Sequence, residues 1–210
     1  LRCEYRENPV GLDEARPRLS WQMADARPGA RQTAYQIVTA SAAAALLAQP
    51  DGWDSGRVES AESLDIPYGG RKLRSRQRVW WRVRAWDLAG EPTAWSEPAC
   101  FEMGLLAAGD WQGSWIGLPQ EREGERPCPF LRREFTLRPD ILTARLYFTA
   151  RGCCELHLNG ARVGEDYFQP GWTDYKKRIP YVTYDVTDRV RPGANALGGI
   201  LADGWFAGHY

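Results

Sequence analysis

The side chains best suited to chemistry in this chain are aromatic and acidic residues in its last quarter. Trp172, Asp174 and Tyr175 lie almost side by side, and Asp203 with Trp205 repeats the pairing further along. An aromatic ring can stack on the apolar C–H face of a sugar, and a carboxylate can accept hydrogen bonds from its hydroxyls. The pattern therefore predicts carbohydrate contact at these five positions. The alternative, which the sequence favours for Trp172, is that the indole closes the end of a β-sandwich or packs on another domain.

Composition bounds the possible functions. Lys+Arg and Asp+Glu number 27 each, so the basic surplus typical of a nucleic-acid-binding protein is missing. No run of about 18 apolar residues indicates a membrane span. We therefore predict neither a nucleic-acid partner nor a membrane partner. Hydrophobic residues make up 43% of the chain, which predicts a packed, globular protein. No basic-then-apolar leader peptide is found at Leu1. The initiator methionine is missing, so we expect a trimmed or partial chain.

The five cysteines indicate the redox environment. They are odd in number and show no CxxC spacing: Cys3, Cys100, Cys128, Cys153 and Cys154. Neighbouring cysteines on one strand point to opposite faces, which makes a disulfide between them strained. We therefore predict free, mostly buried thiols and a reducing, cytoplasmic location.

The first half of the chain alternates short apolar runs with turn signals, as in an antiparallel sandwich. Strands are predicted around Leu19 and Trp21, over Tyr35 to Thr39, Ser63 to Tyr68, Val79 to Trp86 and Ala99 to Met103. Ser41 is predicted to cap a short helix that ends at Leu47. Inward tryptophans on two of these strands and the Tyr-x-Ile pattern on a third resemble a fibronectin type III domain, with Val79 where a tyrosine is usual.

One face of the strongest predicted strand alternates indole and guanidinium groups: Trp80, Arg82, Arg84 and Trp86. Such groups can interleave as a cation–π ladder, to which Trp95 can add a rung, each contact contributing about 0.5–1 kcal/mol at an exposed site. The alternative is a docking face for another domain. The sequence favours the structural ladder.

The second half is organised around a hairpin at Asn159-Gly160. Both central residues of a type I′ turn need positive φ, which Asn-Gly tolerates best. Further strands are predicted at 130–137, 144–149, 155–158, 161–163, 181–186 and 196–201, with a charged loop at 120–127. A jelly roll has eight strands, and fewer are found here, so this domain is predicted to be incomplete at its C-terminal end.

The predicted fold class is all-β, with a fibronectin type III-like β-sandwich over 1–106, a connector over 107–114 and a jelly-roll domain over 115–210. The last predicted strand, Ala196 to Leu201, has no partner after it in the sequence. An open apolar edge favours aggregation. We therefore expect 1–106 to fold as a stable soluble unit, and 115–210 alone to be poorly soluble or to dimerise.

Taken together, these segments resemble the N-terminal region of bacterial α-L-rhamnosidases, inverting glycoside hydrolases with an (α/α)6 catalytic barrel. The residues that carry the resemblance are Trp53 to Val58, Trp81 to Asp87, Phe101 to Leu106, Trp115-Ile116-Gly117, Leu158-Asn159-Gly160 with Val163-Gly164, Pro170 to Tyr175 with Arg178, Tyr184 to Asp188, and Asp203-Gly204-Trp205. The resemblance implies an enzyme that hydrolyses terminal α-L-rhamnosyl residues. This chain would be its non-catalytic front, supporting a barrel that follows it and contacting a rhamnoside.

We predict no catalytic residue, metal ligand or cofactor in the chain. Inverting glycosidases hold two carboxyl groups roughly 6.5–9.5 Å apart. Glu165-Asp166 and Asp174 are interpreted as solvated or turn-forming groups, and Asp185 with Asp188 as residues that fix a turn. His157 is interpreted as an edge histidine, and two histidines in all support no zinc site. Some family members bind rhamnose with calcium through a related jelly roll, but no residue here is assigned to that site.

Two other functions stay open on the sequence. One is a stand-alone carbohydrate-binding module, which requires a complete jelly roll. The other is the front end of an enzyme like a β-galactosidase, whose sandwiches carry a similar Asn-Gly hairpin. The sequence indicates no oligomeric state.

Overall fold

The computed structural model describes residues 1–118 and 127–207. It divides into two compact units, Leu1–Gln112 and Gly113–Tyr210. The predicted all-β class is confirmed, because strands dominate and the described residues contain a single α-helix. Within them, no helix is long and apolar enough to cross a bilayer. Most of the charged loop predicted at 120–127, and His209, lie outside the described residues.

The first unit consists of two antiparallel sheets. Its elements are β1 (Arg2–Cys3), β2 (Arg18–Ser20), β3 (Ala34–Ala40), α1 (Ala43–Ala48), β4 (Val58–Glu59), β5 (Ile66–Pro67), β6 (Arg78–Trp86) and β7 (Ala99–Glu102). One sheet has the order β1-β2-β5 and the other β4-β3-β6-β7. The core between them contains Trp81 and Phe101, both fully buried. Side chains alternate along a strand, so β6 buries every second residue there.

Two predictions for this unit were wrong. Ser41 does not cap the helix, whose N-cap is Ala42. Instead the Ser41 hydroxyl donates to Asp51 Oδ2 at 2.6 Å and its backbone N–H donates to Oδ1 at 2.8 Å, which ties together the two ends of the helical excursion. The strand predicted from Ser63 shrinks to Ile66–Pro67. Asp65 takes a left-handed conformation with φ 56° just before it, and proline has no N–H to extend the ladder.

The predicted cation–π ladder is confirmed, but it includes Arg57 and does not include Trp80. The guanidinium groups of Arg82 and Arg84 lie 4.7 and 4.8 Å from the Trp95 ring centroid. Arg84 and Arg57 both lie over Trp86, at 4.9 and 5.0 Å. Trp80, which was predicted to be part of the ladder, packs instead on a small cluster of Val38, Ala40 and Leu46.

The second unit also contains two antiparallel sheets. Its strands are β8 (Phe130–Leu137), β9 (Arg145–Phe148), β10 (Cys153–Leu158), β11 (Ala161–Arg162), β12 (Val182–Asp185) and β13 (Gly193–Ala202). One sheet has the order β11-β10-β13-β8, and the other pairs β12 with β9. Its core is smaller, with Leu158, Val163 and Val186 buried among half-buried neighbours.

The Asn159-Gly160 hairpin has the predicted geometry, with φ 53° at Asn159 and 87° at Gly160. The Asn159 side chain does more than permit the turn. Its amide donates to Asn195 Oδ1 and to the Arg189 carbonyl, both at 2.8 Å, and its oxygen accepts from the Ala196 backbone N–H at 3.0 Å. The hairpin is therefore fastened to the segment that leads into β13.

The prediction that the last strand leaves an open edge was wrong. β13 pairs with β10 on one side and with β8 on the other, so Leu197 lies opposite both Leu158 and Arg133. Its partners both come earlier in the chain, and it occupies the interior of the sheet. The expected dimerisation through this strand therefore loses its physical basis.

The cysteines are free, as predicted, but the prediction that most are buried was wrong. Cys3 is buried, Cys128 is exposed and the other three are half-buried. Burial raises the pKa of the Cys3 thiol to about 12 and that of Cys154 to about 11. These two thiols are therefore protonated at neutral pH.

Candidate functional site

The candidate site is a surface of the second unit where the loop after β11 meets the turn after β13. Tyr175 and Phe206 contact edge to face with centroids 5.4 Å apart, and Phe168 and Trp205 do so at 6.2 Å. The Arg151 guanidinium lies 5.0 Å from the Trp115 ring centroid and 5.5 Å from that of Phe206. We call these residues the aromatic face: Trp115, Arg151, Phe168, Tyr175, Trp205 and Phe206.

A compact turn places Tyr175 on this face. The Lys177 and Arg178 backbone N–H groups both donate to the Asp174 carbonyl at 2.9 Å. The Asp174 carboxylate accepts from the Lys176 N–H at 3.1 Å and lies 3.4 Å from Lys177 Nζ. Asp174 is thus first a turn-forming residue, as an Asx turn requires. This matches its interpretation as a turn former and leaves only part of its carboxylate available to a ligand.

A second turn places Trp205 and Phe206. Gly204 has φ 49°, and the Phe206 N–H donates to the Asp203 carbonyl at 3.1 Å. The Asp203 side chain is exposed and forms no hydrogen bond with any described residue. An exposed carboxylate beside two aromatic rings can accept hydrogen bonds from a hydroxylated ligand.

The structure brings together only part of the predicted binding set. Tyr175 lies against the turn that holds Asp203 and Trp205, although the ring contact runs through Phe206. Trp172 makes no ring contact within the described residues and is 70% exposed. It therefore does not close the end of its own sandwich, which removes one interpretation offered for it and leaves stacking on a sugar or on another domain.

Sequence reasoning missed several members of the aromatic face, namely Trp115, Arg151, Phe168 and Phe206. Only the density of aromatic residues around the Gly-Trp dipeptides hinted at them. Phe168 takes a left-handed φ of 57°, which no propensity of phenylalanine predicts. The contacts between distant loops come from the sheet order, which the sequence did not specify.

A polar cluster lies on the neighbouring β10–β11 hairpin. Glu155 Oε1 is 2.8 Å from His157 Nε2, and its Oε2 is 3.0 Å from Arg162 Nε. The hydrogen bond with His157, aided by the charge of Arg162, lowers the pKa of Glu155. A carboxylate held ionised between two basic groups is a poor general acid. We interpret the cluster as a structural ion pair.

Nearby, burial first and then the Asp166 carboxylate raise the pKa of Tyr184 to about 12. The Tyr184 hydroxyl donates to Asp166 at 3.2 Å, so both groups are occupied. The turn role predicted for Asp185 is confirmed, because its Oδ1 accepts from the Thr187 N–H at 3.0 Å and from the Thr187 hydroxyl at 2.6 Å. Asp188 forms no such bond with any residue that the structure describes, so the turn role predicted for it was wrong. Among the described residues, no group of three or more His, Cys, Asp or Glu could hold a metal ion.

Comparison with known proteins identifies the family. Residues 1–107, just over half of the chain, match the model described as "Rha78A-like, N-terminal immunoglobulin domain". Residues 139–210 match the model of the α-L-rhamnosidase N-terminal domain. The chain belongs to the α-L-rhamnosidase family. Immunoglobulin and fibronectin type III domains share a sandwich architecture, so the first match fits the predicted fold.

Individual α-L-rhamnosidases agree with this assignment. One from Formosa agariphila is 42% identical over 96% of this chain, which spans 23% of that protein. The structure of the enzyme from Dictyoglumus thermophilum superposes with a TM-score of 0.92 at 34% identity, over 99% of this chain and 25% of that one. The Streptomyces avermitilis enzyme, crystallised with L-rhamnose, gives a TM-score of 0.54 at 37% identity, over 96% of this chain and 21% of that one.

The chain therefore spans about a quarter of the length of these relatives and corresponds to their N-terminal region. The matches support the N-terminal region of an α-L-rhamnosidase over both alternatives raised by the sequence, which are a stand-alone binding module and the front end of a β-galactosidase-like enzyme. The predicted resemblance is confirmed.

Proposed function

We propose that the complete protein is an α-L-rhamnosidase that hydrolyses terminal α-L-rhamnosyl residues, and that this chain is its non-catalytic N-terminal region. The observation that carries the proposal is the 42% identity, over nearly the whole chain, to a relative named for this activity. The chain's own carboxylates support the division of labour, because Glu155 is ion-paired, and Asp174 and Asp185 form turns. The acid and base would lie in the barrel that the family resemblance implies.

The test is hydrolysis of an aryl α-L-rhamnoside by the full-length gene product and by residues 1–210. We expect turnover by the former alone. Turnover by 1–210 would contradict the non-catalytic role. A full-length protein that hydrolyses another aryl glycoside in preference to the rhamnoside would contradict the activity.

We further propose that Trp172, Asp174, Tyr175, Asp203 and Trp205 contact the carbohydrate substrate. The support is twofold. The Trp172 indole is exposed on the loop after β11. The Asp203 carboxylate is exposed in the turn after β13 and has no hydrogen-bond partner among the described residues. Stacking of a sugar on an aromatic ring is comparable to other aromatic contacts, worth about 0.5–1.5 kcal/mol. Removing either indole in the full-length enzyme should therefore raise KM about 3- to 10-fold with little change in kcat.

The variants for this test are Trp172→Ala and Trp205→Ala, with Phe130→Ala as the matched control. Phe130 is 77% exposed on β8 and belongs to no ring contact among the described residues. If the two indoles instead pack on the catalytic barrel, their removal lowers the thermal midpoint of the full-length enzyme and leaves KM unchanged. That outcome would contradict sugar contact.

We also propose a cytoplasmic, reducing location, for which the free thiols are the support. Thiol mapping by peptide mass spectrometry of the protein isolated from its natural source tests it, and all five cysteines of residues 1–210 are expected to be free thiols. A disulfide in that material would contradict the proposal.

A further inference from the structure

A cleft of about 580 Å³ opens in the first unit, between the end of β3 and the start of β6. Clefts of roughly 300–1,000 Å³ are the usual size for small-molecule sites. The lining side chains that matter here are Ser41, Asp51, Trp53, Tyr68 and Arg78, with Gly69 and Gly70 beside the two rings. None of these belongs to the aromatic face of the second unit.

Tyr68 supplies the most telling group in this cleft. Its ring packs edge to face between Trp53 and Phe101, with centroids 5.5 and 5.9 Å away, and the residue is only 6% exposed. Its hydroxyl nevertheless forms no hydrogen bond with any described residue. The ring is buried, whereas the hydroxyl oxygen is open to the cleft and is not one of the fully buried atoms without a partner. A hydroxyl that lines a cleft finds its hydrogen-bond partner in water or in a ligand.

Two glycines lie in direct contact with the rings and hold them in place. A Cβ at Gly69 would lie 2.6 Å from Trp53 Cζ2, and one at Gly70 would collide with the Tyr68 hydroxyl. Neither glycine has a positive φ, so backbone conformation does not demand glycine at either position. The lack of side chains lets the backbone of Gly69 and Gly70 pack directly on the indole and the phenol, so that a Cβ at Gly70 would displace the Tyr68 hydroxyl.

The charged groups around the cleft balance one another. Asp51 is held by the two hydrogen bonds from Ser41, and Arg78 donates twice to Glu102 Oε2, at 2.8 and 3.0 Å. Asp54 and Arg71 complete the charged lining. The two carboxylates that line the cleft match its two guanidinium groups, and Arg78 is already paired with Glu102, so no positive charge is in excess to select an anion. The hydroxyls of an uncharged ligand can donate to the carboxylates and accept from the guanidinium groups. The aromatic rings of the cleft can contact an apolar face of that ligand.

We propose that this cleft binds one pyranose residue of a neutral saccharide, with the sugar's C–H face toward Trp53 and a hydroxyl bonded to the Tyr68 hydroxyl. The Asp51 carboxylate, already oriented by Ser41, accepts from a second hydroxyl. The site is separate from the aromatic face and does not depend on the proposed catalytic activity. It gives the first unit a carbohydrate-holding role of its own.

The test is a titration of residues 1–210 with methyl α-L-rhamnoside, methyl β-D-glucoside, methyl β-D-galactoside and D-glucuronate. Binding is followed by calorimetry and by amide chemical shifts, which locate the site. We expect at least one neutral glycoside to bind in the millimolar range with shifts at Trp53, Gly69 and Gly70. Tyr68→Phe should raise Kd about 3- to 10-fold, and Gly70→Ala should abolish binding.

Tyr35→Phe is the matched control for the lost hydroxyl. Tyr35 is also a buried tyrosine of this core whose hydroxyl has no partner among the described residues, but it does not line the cleft. Its variant should bind as the unchanged chain does, and so should Trp172→Ala. The proposal is overturned if no neutral glycoside binds at 50 mM, if glucuronate alone binds, or if Tyr68→Phe and Tyr35→Phe behave alike. Shifts confined to the aromatic face would also overturn it, while supporting sugar contact at that face.

Discussion

Tyr175 and Phe206 meet edge to face, with ring centroids 5.4 Å apart and ring planes at 90°. One belongs to the loop between β11 and β12 and the other to the turn after β13. The contact makes a single surface of two motifs that are separate in the sequence. The Tyr175 hydroxyl also donates a long hydrogen bond of 3.5 Å to the Gly171 carbonyl.

We predict a coupling energy of about 0.5–1.5 kcal/mol between Tyr175 and Phe206, the range for aromatic pairs of this geometry. The measurement is a double-mutant cycle of Tyr175→Leu and Phe206→Leu, followed by urea unfolding of residues 1–210. Pairing Tyr175→Leu with Phe130→Leu is the control, for which additive effects are expected. Additivity in the first cycle would show that the contact contributes nothing.

Asn159 should be among the most sensitive positions of the second unit. Asn159→Ala places alanine at positive φ and removes three hydrogen bonds, one of them to the buried Asn195, so we expect a loss of about 2–4 kcal/mol. Asn159→Gly restores the turn conformation but not the bonds and should recover only part of that loss. Chemical denaturation of both variants separates the two effects. A glycine variant as stable as the unchanged chain would rule out the role of the side chain.

The cation–π ladder predicts that Trp95 contributes measurably to the free energy of unfolding. This indole contacts two guanidinium groups, so Trp95→Leu should lower the free energy of unfolding by about 1–2 kcal/mol. Leu88→Ala, at an exposed position that the ladder does not include, is the control and should change stability by less than about 0.5 kcal/mol. A Trp95 effect no larger than the control's would mean that the rings and guanidinium groups are merely adjacent.

Glu4 predicts how the first unit responds to acid. The Arg18 guanidinium donates to both of its oxygens, at 3.0 and 2.6 Å, and this lowers the pKa of Glu4. Because the folded-state pKa lies below the ordinary value of 4.5, the stabilisation is present above about pH 4.5 and is lost as the pH falls through the folded value. Glu4→Gln should destabilise the chain at pH 7 and converge with it in acid. The measurement is the free energy of unfolding of both proteins over pH 2–7. A difference between them that is the same at every pH would contradict the prediction.

The residue pattern predicted strands better than it predicted their partners. Period-2 alternation located β6, β8 and the Asn159-Gly160 hairpin, because each has one face toward a core. It could not show that β13 lies between β8 and β10, since that pairing joins segments far apart in the sequence. The aromatic face was predicted only in part for the same reason, as Arg151 and Phe206 meet through sheet order. Two-residue strands such as Val58–Glu59 are too short to show a period.

The thiols should react in the order of their exposure and pKa. The thiolate is the reactive species, so an exposed cysteine is alkylated before a buried one whose pKa is raised. We expect iodoacetamide at pH 8 to modify Cys128 first and Cys3 only on unfolding, because burial raises the pKa of Cys3 to about 12. Peptide mass spectrometry over a time course, with and without urea, measures the order. Early modification of Cys3 in the native chain would show that β1, which holds it, opens without global unfolding.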